Sequence, residues 1–185
     1  RQRNLVQSVQ FSPDGETLLT GSDSTRLWQV SDLAQLDSWN IASGWTWAID
    51  FSPSADMFLT AQSNGQVKLW RTKDRKEIRS LIGHASDVSE AKFSPDGQFI
   101  ASVSREIRLW SVVGMSTVAR LKDGENYVHS VDFAPNGRSI ATGTHNRTIL
   151  IWDIQPYLHP TILEAKVVSA TFEVVEVDIN VANAT

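Results

Sequence analysis

Cysteine is absent from this 185-residue sequence, and so are several other signals of a particular chemistry. Without cysteine there can be no disulfide, no thiolate nucleophile and no cysteine-ligated zinc site. No apolar run approaches the roughly 18 residues that a membrane span requires, so we expect no contact with a membrane. The sequence also lacks the motifs GxSxG and HExxH, a phosphate-binding glycine loop and a dinucleotide fingerprint. These absences exclude most of the enzyme classes that short motifs identify.

The sequence has no large excess of charge of one sign. It contains 17 Lys and Arg residues against 21 Asp and Glu residues, which gives a formal net charge of −4. A surface that binds nucleic acid in general would be basic, so we expect no nucleic-acid partner. Residues 1–4 lead into a strand-like segment and not into an apolar signal region, so a cytoplasmic location is expected by default. The first residue is not methionine, and we expect the chain to be part of a longer protein.

A five-residue turn phrase recurs four times along the chain. It reads FSPDG from Phe11 and from Phe93, FSPSA from Phe51, and FAPNG from Phe133. Each copy is followed by a tryptophan, and the interval from that tryptophan to the next phenylalanine is the same in every case. The four tryptophans are Trp28, Trp70, Trp110 and Trp152. A constant period of about 40 residues indicates a repeat architecture.

Short strand-like segments separated by turn residues fill each repeat. The turns carry Pro-Asp-Gly or similar phrases, and Asn64-Gly65 is a strong hairpin signal. No segment has a sustained helical period. The sequence therefore predicts an all-β fold made of four four-stranded antiparallel repeats. We place these repeats at about residues 5–41, 45–82, 86–121 and 127–163.

These features resemble the WD-repeat β-propeller family. The resemblance covers about residues 5–155 and rests on the four turn phrases, the four tryptophans, the dipeptide Gly83-His84 and the dipeptide Trp152-Asp153. It implies blades of four strands arranged around a central channel. It also implies a non-enzymatic scaffold that binds protein partners and needs no cofactor.

The resemblance also assigns structural roles to the repeated residues. The four phenylalanines and four tryptophans would pack within and between blades, while His84 would brace its blade through a buried chain of hydrogen bonds. In the family that chain links a histidine, a Ser or Thr, an Asp and the tryptophan. The blade of His84 has Ser104-Arg105-Glu106 at the position of the Asp, and no repeat has the complete set. We therefore expect the blades to be held together mainly by apolar packing.

The C-terminal segment bears on how many blades the propeller has. Residues 164–185 contain one more strand-like segment, which is either a degenerate or truncated fifth repeat or an unrelated β-rich tail. No strand at one terminus clearly completes a blade begun at the other. We expect an open arc of four blades, a partial propeller whose end faces are covered by remaining blades or by self-association. A sealed four-bladed ring is the alternative.

Candidate partner-binding residues precede the first strand of repeats two, three and four. Trp45, Asp87 and Tyr127 occupy equivalent positions, and His129 follows Tyr127 by two residues. In the family these positions lie at the rim of the channel, so the resemblance implies that the four side chains share one face. Exposed aromatic side chains that cluster are typical interface anchors. The alternative is that Trp45 and its neighbour Trp47 pack between blades.

The sequence is compatible with two classes of function. The first is the interaction scaffold, and the alternative is a propeller enzyme, such as a hydrolase or lyase, with an acid/base site lining the channel. Asp50 and Asp132 are the carboxylates that such a site would use. We favour a structural role for them, because Gln10 and Lys92 stand at the same position in the other repeats. The four histidines are too scattered to predict a metal site, and we predict no catalytic residue.

Overall fold

The computed structural model describes residues 5–40, 44–122, 124 and 126–158. These residues form four separate antiparallel sheets, in which every strand pairs with its neighbour in the sequence. Each sheet is one blade, and the blades are numbered one to four along the chain. The prediction of an all-β fold built from propeller blades is confirmed. No helix in the described part of the chain is long and apolar enough to cross a membrane.

Blades one and two each contain four strands. The strands of blade one are β1 (Ser8–Phe11), β2 (Thr17–Gly21), β3 (Ser24–Gln29) and β4 (Gln35–Asn40). Those of blade two are β5 (Thr46–Phe51), β6 (Met57–Gln62), β7 (Gln66–Arg71) and β8 (Glu77–Ile82).

Blade three has four strands, and three strands of blade four are described. Those of blade three are β9 (Glu90–Phe93), β10 (Phe99–Val103), β11 (Ile107–Ser111) and β12 (Ser116–Leu121). Those of blade four are β13 (Val128–Phe133), β14 (Ser139–Thr144) and β15 (Ile149–Asp153), and the short helix α1 (Gln155–Leu158) follows them. The expected fourth strand of this blade and the segment 164–185 both lie outside the described residues.

The repeated turn phrase closes the hairpin between the first and second strand of each blade. In blade one, Ser12 N donates to Thr17 O over 2.9 Å, and Gly15 N donates to Ser12 O over 2.8 Å. The turn needs a left-handed residue at its fifth position, where the φ angle of Gly15 is 75°. Glycine adopts this conformation without steric cost. The equivalent glycines, Gly97 and Gly137, have φ angles of 71° and 67°. The shared Pro-Asp-Gly or Pro-Asn-Gly phrase predicts such a conformation at all three glycines, because glycine tolerates a positive φ angle in a turn.

The four blades are arranged as an arc. Their first strands are innermost and contact each other in sequence, β1 against β5, β5 against β9 and β9 against β13. Buried residues of successive blades merge into shared apolar clusters, one of which joins Leu19 and Leu27 to Phe51 and Phe58. Within the described residues the four sheets do not close into a ring. The structure is therefore a partial propeller, as expected, and the sealed four-bladed ring is not observed.

Equivalent positions differ in exposure between the ends of the arc and its middle. Phe11 of blade one is 57% exposed, whereas its equivalents Phe51, Phe93 and Phe133 are between 6% and 8% exposed. Ile151 of blade four is 49% exposed, whereas its equivalents Leu27, Leu69 and Leu109 are at most 3% exposed. Blade one presents a phenylalanine face, and blade four presents the kind of aliphatic face that covers such a phenylalanine elsewhere in the arc.

The tryptophan of each third strand is held by the same hydrogen bond in all four blades. Its Nε1 donates to a hydroxyl oxygen on the second strand at a distance between 2.8 and 3.1 Å. The pairs are Trp28 with Thr20, Trp70 with Thr60, Trp110 with Ser102, and Trp152 with Thr142. The tryptophan and the Ser or Thr hydroxyl, two of the four members of the family's brace, are thus linked in every blade. These hydrogen bonds stabilise the blades in addition to apolar packing.

Blade three has a second link between its preceding loop and its third strand. The buried guanidinium of Arg108 donates to Gly83 O over 2.7 Å and to the Glu106 carboxylate over 2.6 Å. It also lies over the Trp110 ring at 5.6 Å. A Cβ atom at Gly83 would collide with this guanidinium, which explains the glycine before His84. Arg108 therefore ties the loop before the blade to its third strand.

Candidate functional site

A groove of about 510 Å³ crosses blades two, three and four at the end where their first strands begin. We call this end of the blades the groove face of the arc. Neighbouring strands of a blade run in opposite directions, so the turns between second and third strands also reach this face. Six residues line the groove, and they are Trp47, Asp87, Ser89, Tyr127, His129 and His145. The groove thus draws its walls from three successive repeats.

Three of the four residues that the sequence singled out line this groove. They are Asp87, Tyr127 and His129, while Trp45 is not among the lining residues. The Trp45 ring instead stacks on that of Trp47, with 6.3 Å between the centroids and 21° between the planes. Both Trp45 and Tyr127 are half-buried, so part of each side chain is exposed to solvent.

Tyr127 forms a fixed wall of the groove. Its hydroxyl donates to Asp87 O over 3.0 Å, which links the start of blade four to the loop before blade three. Its ring also contacts that of His129 at a centroid distance of 5.1 Å. Burial raises the pKa of the Tyr127 hydroxyl above its usual range, with a further rise from the Asp87 carboxylate. The hydroxyl therefore stays protonated and remains a donor at physiological pH.

His129 and His145 form a pair at the blade-four end of the groove. Nε2 of His129 lies 3.2 Å from Nδ1 of His145, and the ring centroids are 5.5 Å apart. The backbone N–H of His145 donates to Tyr127 O over 2.8 Å, which holds the turn after β14 against the first strand. His145 was not among the predicted site residues. Its place in the turn between second and third strands, which reaches the same face, is the signal that could have identified it.

Trp47 and Ser89 complete the lining. Both stand four residues before the phenylalanine of their repeat, the position that His129 occupies in blade four. The Ser89 hydroxyl lies 2.8 Å from Val128 O, so it joins blade three to blade four. Nε1 of Trp47 is buried and has no partner among the described residues. Since the residue as a whole is half-buried, the exposed part of its ring is carbon surface.

Each carboxylate considered for an acid/base site accepts a hydrogen bond from a backbone N–H. Oδ2 of Asp50 accepts the backbone N–H of Phe93 over 2.8 Å, and Oδ1 lies 3.6 Å from Lys92 Nζ. Burial raises the pKa of the Asp50 carboxyl, and Lys92 opposes that rise. Oδ1 of Asp132 accepts the backbone N–H of Phe133 over 3.0 Å. Asp50 thus braces blade two to blade three. Within the described ranges no three His, Asp or Glu side chains are grouped to hold a metal ion.

His84 lies at one end of a short chain of hydrogen bonds within its blade. Its Nε2 lies 2.7 Å from Ser102 Oγ, which in turn accepts from Trp110 Nε1 over 2.8 Å. Nδ1 is buried and has no partner among the described residues, at the position where the family has an aspartate. Burial lowers the pKa of His84 to about 4, so the ring is neutral at physiological pH.

The fold and the groove define the class as a partial β-propeller with a concave surface on one face. The family model for the WD domain, G-beta repeat, matches residues 2–29, 35–71, 75–111 and 115–153. The chain belongs to the WD-repeat family. Except for the first, each matched unit begins at or just before the outer strand of one blade and ends with the third strand of the next, so each of these three units joins two blades.

Several known proteins are similar over most of this chain. A WD repeat-containing protein of Synechocystis is 29% identical over 145 residues, which is 76% of this chain and 42% of the relative. The transcriptional corepressor LEUNIG_HOMOLOG of Arabidopsis thaliana is 28% identical over 153 residues, which is 80% of this chain and 19% of the relative. A chromatin assembly factor 1 subunit of Gallus gallus is 26% identical over 159 residues, which is 84% of this chain and 24% of the relative. The chain spans less than half the length of these three relatives.

Proposed function

We propose that this protein is a non-enzymatic scaffold that binds a protein partner in this groove. The observation that carries the proposal is the groove itself, whose lining comes from three blades and includes four aromatic rings with only one carboxylate. Aromatic side chains supply much of the contact energy in protein interfaces, provided that they lie in a surface that a partner can cover.

Hydrogen bonds hold several side chains of the groove lining in place. Tyr127 is held by Asp87 O, His129 by His145, and Ser89 by Val128 O. A surface fixed in this way loses little conformational freedom when a partner binds, which leaves more of the contact energy for affinity. Trp45 would extend the aromatic surface beyond the groove, because it stacks on the edge residue Trp47.

We also propose that the four blades are part of a larger propeller or of a multidomain protein. The exposed Phe11 and Ile151 support this, since both positions are covered by a neighbouring blade everywhere else in the arc. One relative is named as a transcriptional corepressor and another as a subunit of a chromatin assembly factor. By analogy this chain would work within an assembly of proteins. The cytoplasmic location stays a prediction.

No observation favours the enzyme alternative. Asp50 is engaged by Phe93 N and Lys92, and Asp132 accepts the backbone N–H of the next residue. A general acid or base must be within hydrogen-bond reach of a bound substrate. An engaged carboxylate such as Asp50 is better suited to bracing the blades.

The proposal can be tested with a double variant in the groove, Trp47→Leu with His129→Ala. Proteins captured by the full chain are identified by mass spectrometry, and each candidate is purified and titrated against wild type and variants by calorimetry. Val113→Ala is the matched control, because Val113 is 89% exposed in the turn after β11, at the opposite end of the blades.

A groove partner should bind the double variant at least about tenfold more weakly, as expected when interface aromatics are truncated. The same partner should bind Val113→Ala with unchanged affinity, and circular dichroism should show that both variants are folded. If every purified partner binds the groove variant as tightly as wild type, the groove is not the docking surface.

A further inference from the structure

The lining of the groove carries one negative charge and no positive side chain that would pair with it. Asp87 is the one acidic residue of its lining, and no lysine or arginine belongs to that lining. Other half-buried or buried acids nearby are engaged, since Glu90 accepts from Val131 N and Glu106 pairs with Arg108 and Arg120. The Asp87 carboxylate makes no ion pair or side-chain hydrogen bond with any residue that the structure describes.

The walls beside this carboxylate are aromatic. Trp47 presents carbon surface, because its Nε1 is buried. The hydroxyl of Tyr127 is bonded to the backbone of Asp87, so the phenol ring is anchored beside that residue. The faces of indole and phenol rings attract cations through their negative quadrupole, and the attraction grows when water is displaced.

We propose that the groove recognises a basic side chain, a lysine or arginine of the partner, placed between Trp47 and Tyr127 and against Asp87. The long methylene stem of such a side chain would cover the aromatic surface while its charge meets the carboxylate. This inference rests on the proposed function and names the chemistry of the partner. A partner acid at this place would meet Asp87 as a like charge, and a purely apolar side chain would leave the carboxylate partly desolvated without compensation.

One cation of the described part of the chain would compete with this ligand. Arg105, in the turn between β10 and β11, is exposed and acts electrostatically on the Tyr127 hydroxyl. Its charge therefore lies close enough to lower the attraction of the groove for a second cation. Replacing Arg105 should strengthen binding of a basic side chain, while replacing Asp87 should weaken it.

The test uses small probes that isolate one side chain. Nα-acetyl-arginine-N-methylamide and its lysine analogue are titrated into the full chain, and the indole N–H signal of Trp47 is followed by nuclear magnetic resonance at constant ionic strength. The signal is assigned by its loss in Trp47→Phe. Acetylcitrulline and acetylnorleucine methylamides are the uncharged counterparts. The basic probes should shift this signal in a saturable way and bind at least about fivefold more tightly than their uncharged counterparts.

Two charge variants sharpen the result. Asp87→Asn should abolish the preference for the charged probes, and Arg105→Gln should increase it. Equal binding of charged and uncharged probes, no saturable binding by any probe, or an unchanged preference in Asp87→Asn would each overturn the inference. The docking proposal would survive those results as long as the partner still depends on Trp47 and His129, so the two failures can be told apart.

Discussion

Nε2 of His84 and Oγ of Ser102 lie 2.7 Å apart and connect the loop before blade three to the second strand of that blade. The hydroxyl also receives the indole N–H of Trp110 over 2.8 Å. One serine thus satisfies two buried side chains from two other parts of the chain. Blade three is the one described blade with a histidine in this brace, so it is the place to measure what the brace contributes.

Removing the shared hydroxyl should be costly. In Ser102→Ala, His84 Nε2 and Trp110 Nε1 both lose their partner in a buried environment, and we expect a loss of about 2–4 kcal/mol in the free energy of unfolding. Ser102→Thr is the matched control, because threonine stands at this position in the other three blades. Urea unfolding at neutral pH would measure both variants. Equal destabilisation by the two substitutions would show that the hydroxyl has no such role.

His84 should make the stability of the protein depend on pH. Burial lowers its pKa in the folded state to about 4, compared with 6.5 for the unperturbed side chain. Between these pH values the unfolded chain binds the proton more readily than the folded chain. The contribution of neutral His84 to the free energy of unfolding is therefore complete above about pH 6.5 and is lost as pH falls toward about 4. The full effect is about 3 kcal/mol.

Comparing wild type with His84→Gln isolates this titration from those of the other groups. Urea unfolding at several values between about pH 4 and 7.5 should give a steeper loss of stability on acidification for wild type than for the variant. Parallel curves would contradict the assignment of this pH dependence to His84.

Ala55 occupies a position that suits glycine. Its φ angle is 58°, in the left-handed region that the turn glycines of the other repeats adopt. Ala55→Gly removes a backbone strain of about 1–2 kcal/mol. Glycine also gives the unfolded chain more backbone freedom, which offsets part of this effect, so we expect the free energy of unfolding to rise by about 0.5–1 kcal/mol.

The reverse substitution is Gly15→Ala, which places a side chain at a φ angle of 75° with no neighbouring atom within 4 Å. Any loss there comes from the backbone alone, and it should have the opposite sign to the gain from Ala55→Gly. Thermal denaturation of both variants measures the pair, and a destabilised Ala55→Gly would disprove the expectation.

Two equivalent phenylalanines should differ sharply in their contribution to stability. Phe51→Ser removes a ring buried between blades one and two, and truncations of this kind typically cost about 3–5 kcal/mol. Phe11→Ser removes a ring that is 57% exposed, so its cost should be below about 1 kcal/mol. Chemical unfolding of the two variants would measure the difference. Similar losses would show that the Phe11 face is covered.

The open faces should drive self-association of the four blades. Val9 and Phe11 expose an apolar face at one end, and Ile149 and Ile151 expose another at the opposite end. These faces correspond to the two sides of a normal contact between blades, so copies should add head to tail. Sedimentation velocity should show mass increasing with concentration, and the double variant Val9→Ser with Phe11→Ser should reduce it. Val113→Ser is the control, and a monomer at all concentrations would contradict the expectation.

Much of the fold could be predicted from local patterns in the sequence. The turn phrases predict a left-handed conformation at Gly15, Gly97 and Gly137, and all three glycines adopt it, because the turn itself requires a positive φ angle there. Alternation and the regular spacing of tryptophans predicted four antiparallel blades, since each blade is formed by strands that are neighbours in the chain. Those same repeats supplied Asp87, Tyr127 and His129 as candidate site residues.

Contacts between blades were decided by the tertiary structure. Phe93 N reaches Asp50, and Tyr127 reaches Asp87, through hydrogen bonds that join residues about 40 positions apart. The pairing of His129 with His145 and the choice of Trp47 over Trp45 as a groove wall depend on how one blade is placed against the next. Strand alternation in a single sequence determines which face a residue occupies. It does not determine which residue of a neighbouring blade meets that face, because the twist and packing of whole sheets set that distance.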